Sequence, residues 1–120
     1  MKVALITVLL VTLTGCAQTR YRMYVHNGTS EKIFATKVVI NDEQTLTFGT
    51  LDHDVSAGIW PVFGPLGKES TVEWMDFNGE NRKVAKVKYS CALRDDSVIF
   101  LINSNDTVTV RTGRKLYGVK

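Results

Sequence analysis

Between Tyr21 and Arg111, apolar and polar residues alternate with a period of two, in short runs broken about every ten residues by Asn, Asp, Gly or Pro. A period of two is the signature of strands with one face buried, because successive side chains on a strand point to opposite faces. In Tyr21-Arg22-Met23-Tyr24-Val25-His26, the Tyr21, Met23 and Val25 side can face a core. Asn27-Gly28-Thr29-Ser30 is a turn cluster, since Asn and Gly tolerate positive φ at little cost. Residues 32–40 read as a second strand, with Phe34, Val38 and Ile40 on one side, and Asn41-Asp42 turns the chain. Residues 44–51 read as a third, with Leu46 and Phe48 inward and Thr45 and Thr47 outward.

The middle is less regular. Asp52-His53-Asp54 is a polar loop, and residues 55–63 hold a strand weakened by Gly58 and Pro61. Gly64-Pro65-Leu66-Gly67 is a loop, because Pro lacks the donor that a central strand needs. Residues 71–77 follow as a strand with Val72 and Trp74 on one side. Asn78-Gly79 is a hairpin turn, and residues 82–89 form its second arm with Lys86 and Lys88 outward. Ser97 to Ile102 is a continuous apolar run, read as a strand buried on both faces, with a buried helical turn as the alternative. Ser104-Asn105-Asp106 turns the chain into a last strand at 107–111. Seven or eight short strands without a helix predict an all-β antiparallel sandwich, immunoglobulin-like or transthyretin-like. A small closed barrel is the main competitor.

The first sixteen residues carry a different message. Lys2 precedes the apolar run from Val3 to Thr14, and Leu13-Thr14-Gly15-Cys16 closes it. A membrane-spanning helix needs about 20 apolar residues, so this run is too short, and Gln18, Arg20 and Arg22 follow at once. A charged start, a short apolar middle and small residues at the end describe a removable export signal. The segment resembles a bacterial lipoprotein signal ending in a lipobox. The resemblance implies cleavage before Cys16, a diacylglycerol on its sulfur and an acyl chain on its new amine; two or more chains make anchoring stable where one is marginal. An ordinary secretory signal or an N-terminal buried strand is the alternative. Ala17 lacks the Asp that tends to retain such proteins in the inner membrane. The implied address is therefore the outer membrane, facing the periplasm, with another bacterial membrane as the alternative. The chain divides into a signal at 1–15, a lipidated anchor and tether at 16–19, the sandwich at 20–111 and a basic tail at 112–120.

The 105 residues after the signal suit one domain with a single core. They carry a net charge of +2, but residues 16–110 alone carry −2, so the body is no nucleic-acid footprint. Arg111, Arg114, Lys115 and Lys120 supply the excess. They suit anionic headgroups or cell-wall carboxylates, or else a solvated, frayed terminus. With Cys16 acylated, Cys91 has no partner in the chain; its strand position argues for a buried structural thiol.

Little else suggests chemistry. Asp52-His53-Asp54 is the one local cluster of metal-capable side chains, with His26 as a distant fourth, but adjacent residues on an extended segment diverge, so no metal site is expected. Cys91 with either His could form a nucleophilic pair, and a Ser-His-Asp set can be drawn, but no elbow motif flanks them. Asp95-Asp96 are too close together for glycosidase geometry. Asn27-Gly28-Thr29 and Asn105-Asp106-Thr107 match glycosylation sequons but read as turns. Trp74 should be the central packing residue. Trp60, beside Pro61, is either core or, with His53, part of an interaction surface.

The strand ending in Asn27-Gly28, then Phe48-Gly49-Thr50-Leu51, Gly64-Pro65-Leu66 and Val72-Glu73-Trp74, with Asp76 and Gly79 after it, resembles a group of small bacterial lipoproteins with a β-sandwich. That resemblance covers about half of the mature chain and brings no activity and no site residues. A more distant resemblance is to the outer-membrane lipoprotein of type VI secretion, a transthyretin-like sandwich that docks an inner-membrane partner; this chain is shorter and lacks a diagnostic loop. The expectation is a lipid-anchored, non-catalytic interaction or structural module without a cofactor beyond its acyl chains. Its partners would be membrane lipid and an envelope protein or the cell wall. A periplasmic inhibitor or ligand-binding lipoprotein, with Trp60 as anchor residue, and a secretion-system anchor are the alternatives; an enzyme built on Cys91 or His53 is a third class.

Overall fold

The computed structural model describes residues 16, 18–76 and 79–116, so the expected signal helix, Ala17, Phe77, Asn78 and the last four residues lie outside the described chain. Eight strands form: β1 (Arg20–Asn27), β2 (Ile33–Asn41), β3 (Gln44–Leu51), β4 (Ser56–Phe63), β5 (Glu69–Met75), β6 (Arg82–Lys88), β7 (Ser97–Ile102) and β8 (Val108–Gly113). They assemble into two four-stranded sheets, ordered β4-β1-β7-β8 and β3-β2-β5-β6. The fold is the expected all-β sandwich with its core between the sheets.

The core follows the period-two pattern. Tyr21, Met23 and Val25 of β1, Val38 and Ile40 of β2, Val72 and Trp74 of β5, and Val98, Phe100 and Ile102 of β7 are buried and mutually packed. Each fully buried large apolar side chain contributes about 1.5–3 kcal/mol relative to exposure. Tyr89, just past β6, reaches across to meet the Phe100 ring edge-on at a centroid distance of 5.8 Å. Ile99, on the opposite face of β7, is also buried, as the continuous apolar run requires.

Three details depart from the sequence expectation, and a fourth explains how the strand expected at residues 55–63 forms despite its proline. First, β1 and β7 pair in parallel, from Arg22↔Ser97 to Asn27↔Ile102, whereas the other five ladders among the described residues are antiparallel. Second, β2 buries Ile33 and leaves Phe34 only half-buried. Ala35, at φ 50°, sits where the register slips between Phe34↔Met75 and Lys37↔Glu73, and a slip of one residue exchanges faces. Third, β5 is shifted two residues toward the N-terminus, and Met75↔Arg82 closes its ladder with β6, which leaves six residues, 76–81, between the strands; the expected Asn78-Gly79 turn falls among them, with Asn78 outside the described residues. Fourth, β4 accommodates Pro61 because β4 is an edge strand. Trp60 and Pro61 together oppose Arg22, between Tyr21↔Val62 and Met23↔Ile59, as a bulge.

Candidate functional site

The ladders divide the sandwich into two ends of different character. At the first end lie the start of β1, the end of β4, the start of β7 and the end of β8. Cys16 is fully buried there, and its Sγ is bonded to Sγ of Cys91 across 75 residues, with Cα atoms 5.0 Å apart. The expected lone thiol at Cys91 is thereby corrected. The lipobox resemblance implies another fate for the Cys16 sulfur, whereas the fold brings the two cysteines to bonding distance. One sulfur cannot hold both a thioether to lipid and a disulfide, so the two chemistries of Cys16 exclude each other.

The segment before β1 lies against the domain instead of hanging from it. The Cys16 carbonyl accepts the Leu66 N–H at 2.9 Å, and the Thr19 carbonyl accepts that of Gly64 at 2.9 Å. Gln18 donates its backbone N–H to the Tyr21 hydroxyl at 2.7 Å and its side-chain amide to the Leu93 carbonyl at 2.7 Å. Gly64 is required at this contact, since a Cβ there would stand 2.1 Å from the Gln18 carbonyl oxygen. Burial raises the Tyr21 phenol above its ordinary pKa. The start of the basic tail is pinned too. Asp96 accepts the Lys115 N–H at 2.8 Å, and Ser97 Oγ accepts the Leu116 N–H at 3.0 Å. The Lys115 N–H bond is the chief reason that the Asp96 carboxyl is held below its usual range. A frayed terminus therefore does not describe residues 112–116.

This end also exposes large apolar side chains. Trp60 is 49 % exposed, Phe63 60 % and Leu93 85 %. Trp60 is thus a surface residue, and the Arg22 guanidinium carbon sits 4.6 Å from its ring centroid, within cation–π range. Phe63 is the Cα partner of Arg20 at the rim. Arg94 and Arg114 line a polar cleft with Gln18 and Asp96.

At the opposite end the residues of the 52–54 loop go to three different partners. Asp52 pairs with Lys32 at 3.4 Å, His53 donates from Nδ1 to the Thr29 carbonyl at 2.6 Å, and Asp54 meets His26 Nε2 at 2.9 Å. The segment is a turn with Asp54 at φ 60° rather than extended chain, so the divergence has a different cause from strand alternation, and among the described residues no group of metal-capable side chains converges. His53 is exposed and lies at the end away from Trp60, so these two expected surface residues do not share one patch.

Two residues at this end were missed as site residues. His26, 5 % exposed, bridges Asp54 and Ser56, its Nδ1 lying 2.6 Å from Ser56 Oγ. A carboxylate only accepts, so Nε2–H donates to Asp54, while at Nδ1 the partner is the Ser56 hydroxyl, which can donate or accept. The order is the reverse of the hydrolase triad, in which the carboxylate orients Nδ1 and the serine meets Nε2. The set clasps the 52–55 loop onto β1. Asn27, fully buried, donates to the carbonyls of Glu31, Leu51 and Asp52 and accepts from Thr29. Its place in an Asn-Gly turn signal hid this role; the neighbouring buried strand was the available clue.

No family model matches the chain, and no curated protein does. Among solved structures, an NMR structure of a protein from Eubacterium rectale is similar, with a TM-score of 0.54 and 18% identity over 81% of this chain and 91% of that one. At that identity the likeness speaks to the fold alone.

Proposed function

We propose that this chain is a bacterial envelope protein, exported, acylated at Cys16 and held at the outer membrane facing the periplasm, where its sandwich acts as a non-catalytic interaction module. The observation that carries the reading is the leader: one charge, a short apolar run and Leu13-Thr14-Gly15-Cys16 in order. In the acylated form the Cys16 sulfur leaves the disulfide and its buried site, and the anchored residue, four positions before the start of β1, orients one end of the sandwich toward the membrane. In this form Cys91 is a thiol. The exposed Trp60 and its neighbours supply a contact surface.

The Cys16–Cys91 bond favours a second reading, in which an ordinary secretory signal releases the domain and the disulfide closes it. Disulfides persist in oxidising compartments outside the cytoplasm, so both readings share export. Growth with labelled palmitate, followed by intact mass and thiol trapping of the mature chain, tests the choice. Label on the polypeptide, a diacylglyceryl mass on Cys16 and a trapped thiol at Cys91 are expected. An unlabelled chain whose thiols react only after reduction overturns the anchored reading and establishes the released one.

A further inference from the structure

We propose that the Cys16 end of the β4-β1-β7-β8 sheet is a docking face for an anionic phospholipid surface, with Trp60, Phe63 and Leu93 entering the headgroup layer and arginines holding its phosphates. The proposal rests on the anchored reading and adds an orientation to it.

Position is the first argument. Phe63 is paired with Arg20, four residues beyond Cys16, and the Leu93 carbonyl accepts the side-chain amide of Gln18, two residues beyond Cys16, at 2.7 Å. Extended chain covers about 3.3–3.6 Å per residue and a neighbouring strand lies about 5 Å away, so these residues stand within about 20 Å of the anchored residue. A bilayer reached by Cys16 is therefore within reach of the patch.

Composition is the second. Aromatic side chains with a polar or charged neighbour suit the boundary between water and hydrocarbon, where one side is apolar and the other wet. Trp60 lies under the Arg22 guanidinium, and Phe63 stands beside Arg20 on the neighbouring strand. Leu93, the most exposed of the large apolar residues described, is followed directly by Arg94.

Charge is the third. This end of the sheet carries Arg20, Arg22, Arg94, Arg114 and Lys115 against Asp95 and Asp96, and Asp96 is occupied by the Lys115 N–H and the Ser97 hydroxyl. The opposite end carries Glu31, Asp52, Asp54 and Asp106 against Lys32 and Lys83. Anionic lipid attracts the first end and repels the second, which stands the domain on the membrane with its acidic loops outward.

The test uses the mature chain purified from membranes and reconstituted into vesicles of brominated phosphatidylcholine, alone or with about a third phosphatidylglycerol, the anionic arm testing the surface attraction. Trp74 is 2 % exposed and supplies an unquenched background, so Trp60 is the reporter. The expected result is quenching at least two-fold stronger in the anionic vesicles. It falls to background in Trp60→Phe and is halved or more in Arg94→Glu/Arg114→Glu, with circular dichroism confirming that both variants fold. Chain that floats with vesicles while Trp60 is quenched equally weakly in both compositions overturns the docking face and leaves the anchor intact. If the purified chain carries no acyl group, the anchor reading fails by mass alone. The same chain is then added to unbrominated vesicles at low salt. Co-sedimentation with the anionic vesicles only, lost in the double arginine variant, sustains the docking face; no sedimentation overturns it.

Discussion

Replacing Cys91 with alanine measures which chemistry Cys16 has adopted. The bond to Cys16 closes a loop of 75 residues. In the chain-entropy treatment, a loop of that length removes about 15 cal/mol/K from the unfolded ensemble, equivalent to about 4.5 kcal/mol at 25 °C. A domain of this size has a total stability of about 5–15 kcal/mol, so the bond is a large share of it. The assay is urea unfolding of mature chain with unmodified Cys16, oxidised in air, monitored by tryptophan fluorescence. Cys91→Ala, or the parent held in reductant, should lose about 4 kcal/mol and melt roughly 20–30 °C lower. The acylated chain has no such bond to lose. There, Cys91→Ala removes one half-buried sulfur and should cost no more than about 1 kcal/mol. The reasoning is refuted if unacylated, oxidised parent and Cys91→Ala share a urea midpoint, because the two sulfurs then contribute no constraint in either form.

Three further outcomes follow from the packing. Asn27→Ala removes the side-chain amide from three carbonyls, of which Glu31 keeps the Thr29 hydroxyl and Asp52 the Val55 N–H, and at this fully buried position should cost about 2 kcal/mol in urea titration, against well under 1 kcal/mol for Asn105→Ala in the exposed turn. Gly64→Ala forces the Gln18 carbonyl away from its neighbour; proteolysis should then cut between residues 16 and 20 at concentrations that spare the parent. The phenols of Tyr21 and Tyr89 are both raised above their ordinary pKa, chiefly by burial. The folded state therefore keeps protons that the unfolded chain releases above about pH 10, and stability is full below that pH and falls as pH rises further. Tyr89→Phe should flatten the alkaline limb of a plot of urea midpoint against pH.

The strands were legible because burial imposes its period locally. The bounds of β3 and β7 coincide with the alternating and continuous runs read from residues 44–51 and 97–102, and Tyr21, Met23 and Val25 face inward as their spacing requires. What escaped the sequence is nonlocal. Nothing in the run from Arg22 to His26 says that its neighbours are β4 on one side and β7, in parallel, on the other. The clasp of His26 by Asp54 and Ser56 exists only in the β1–β4 register, where His26 faces Ser56. The reversal between Ile33 and Thr36 depends on Ala35 adopting a positive φ, to which its side chain gives no clue. The Cys16–Cys91 pairing escaped for a different reason. A count of two cysteines leaves pairing open, and the lipobox resemblance closed it by assigning one sulfur to lipid. Register explains Trp60 as well: Pro61 confines its strand to an edge, and the bulge opposite Arg22 turns the indole outward against a cation. The same irregularity that weakened the strand signal at residues 55–63 thus creates an exposed aromatic–cation surface on the edge strand of the domain.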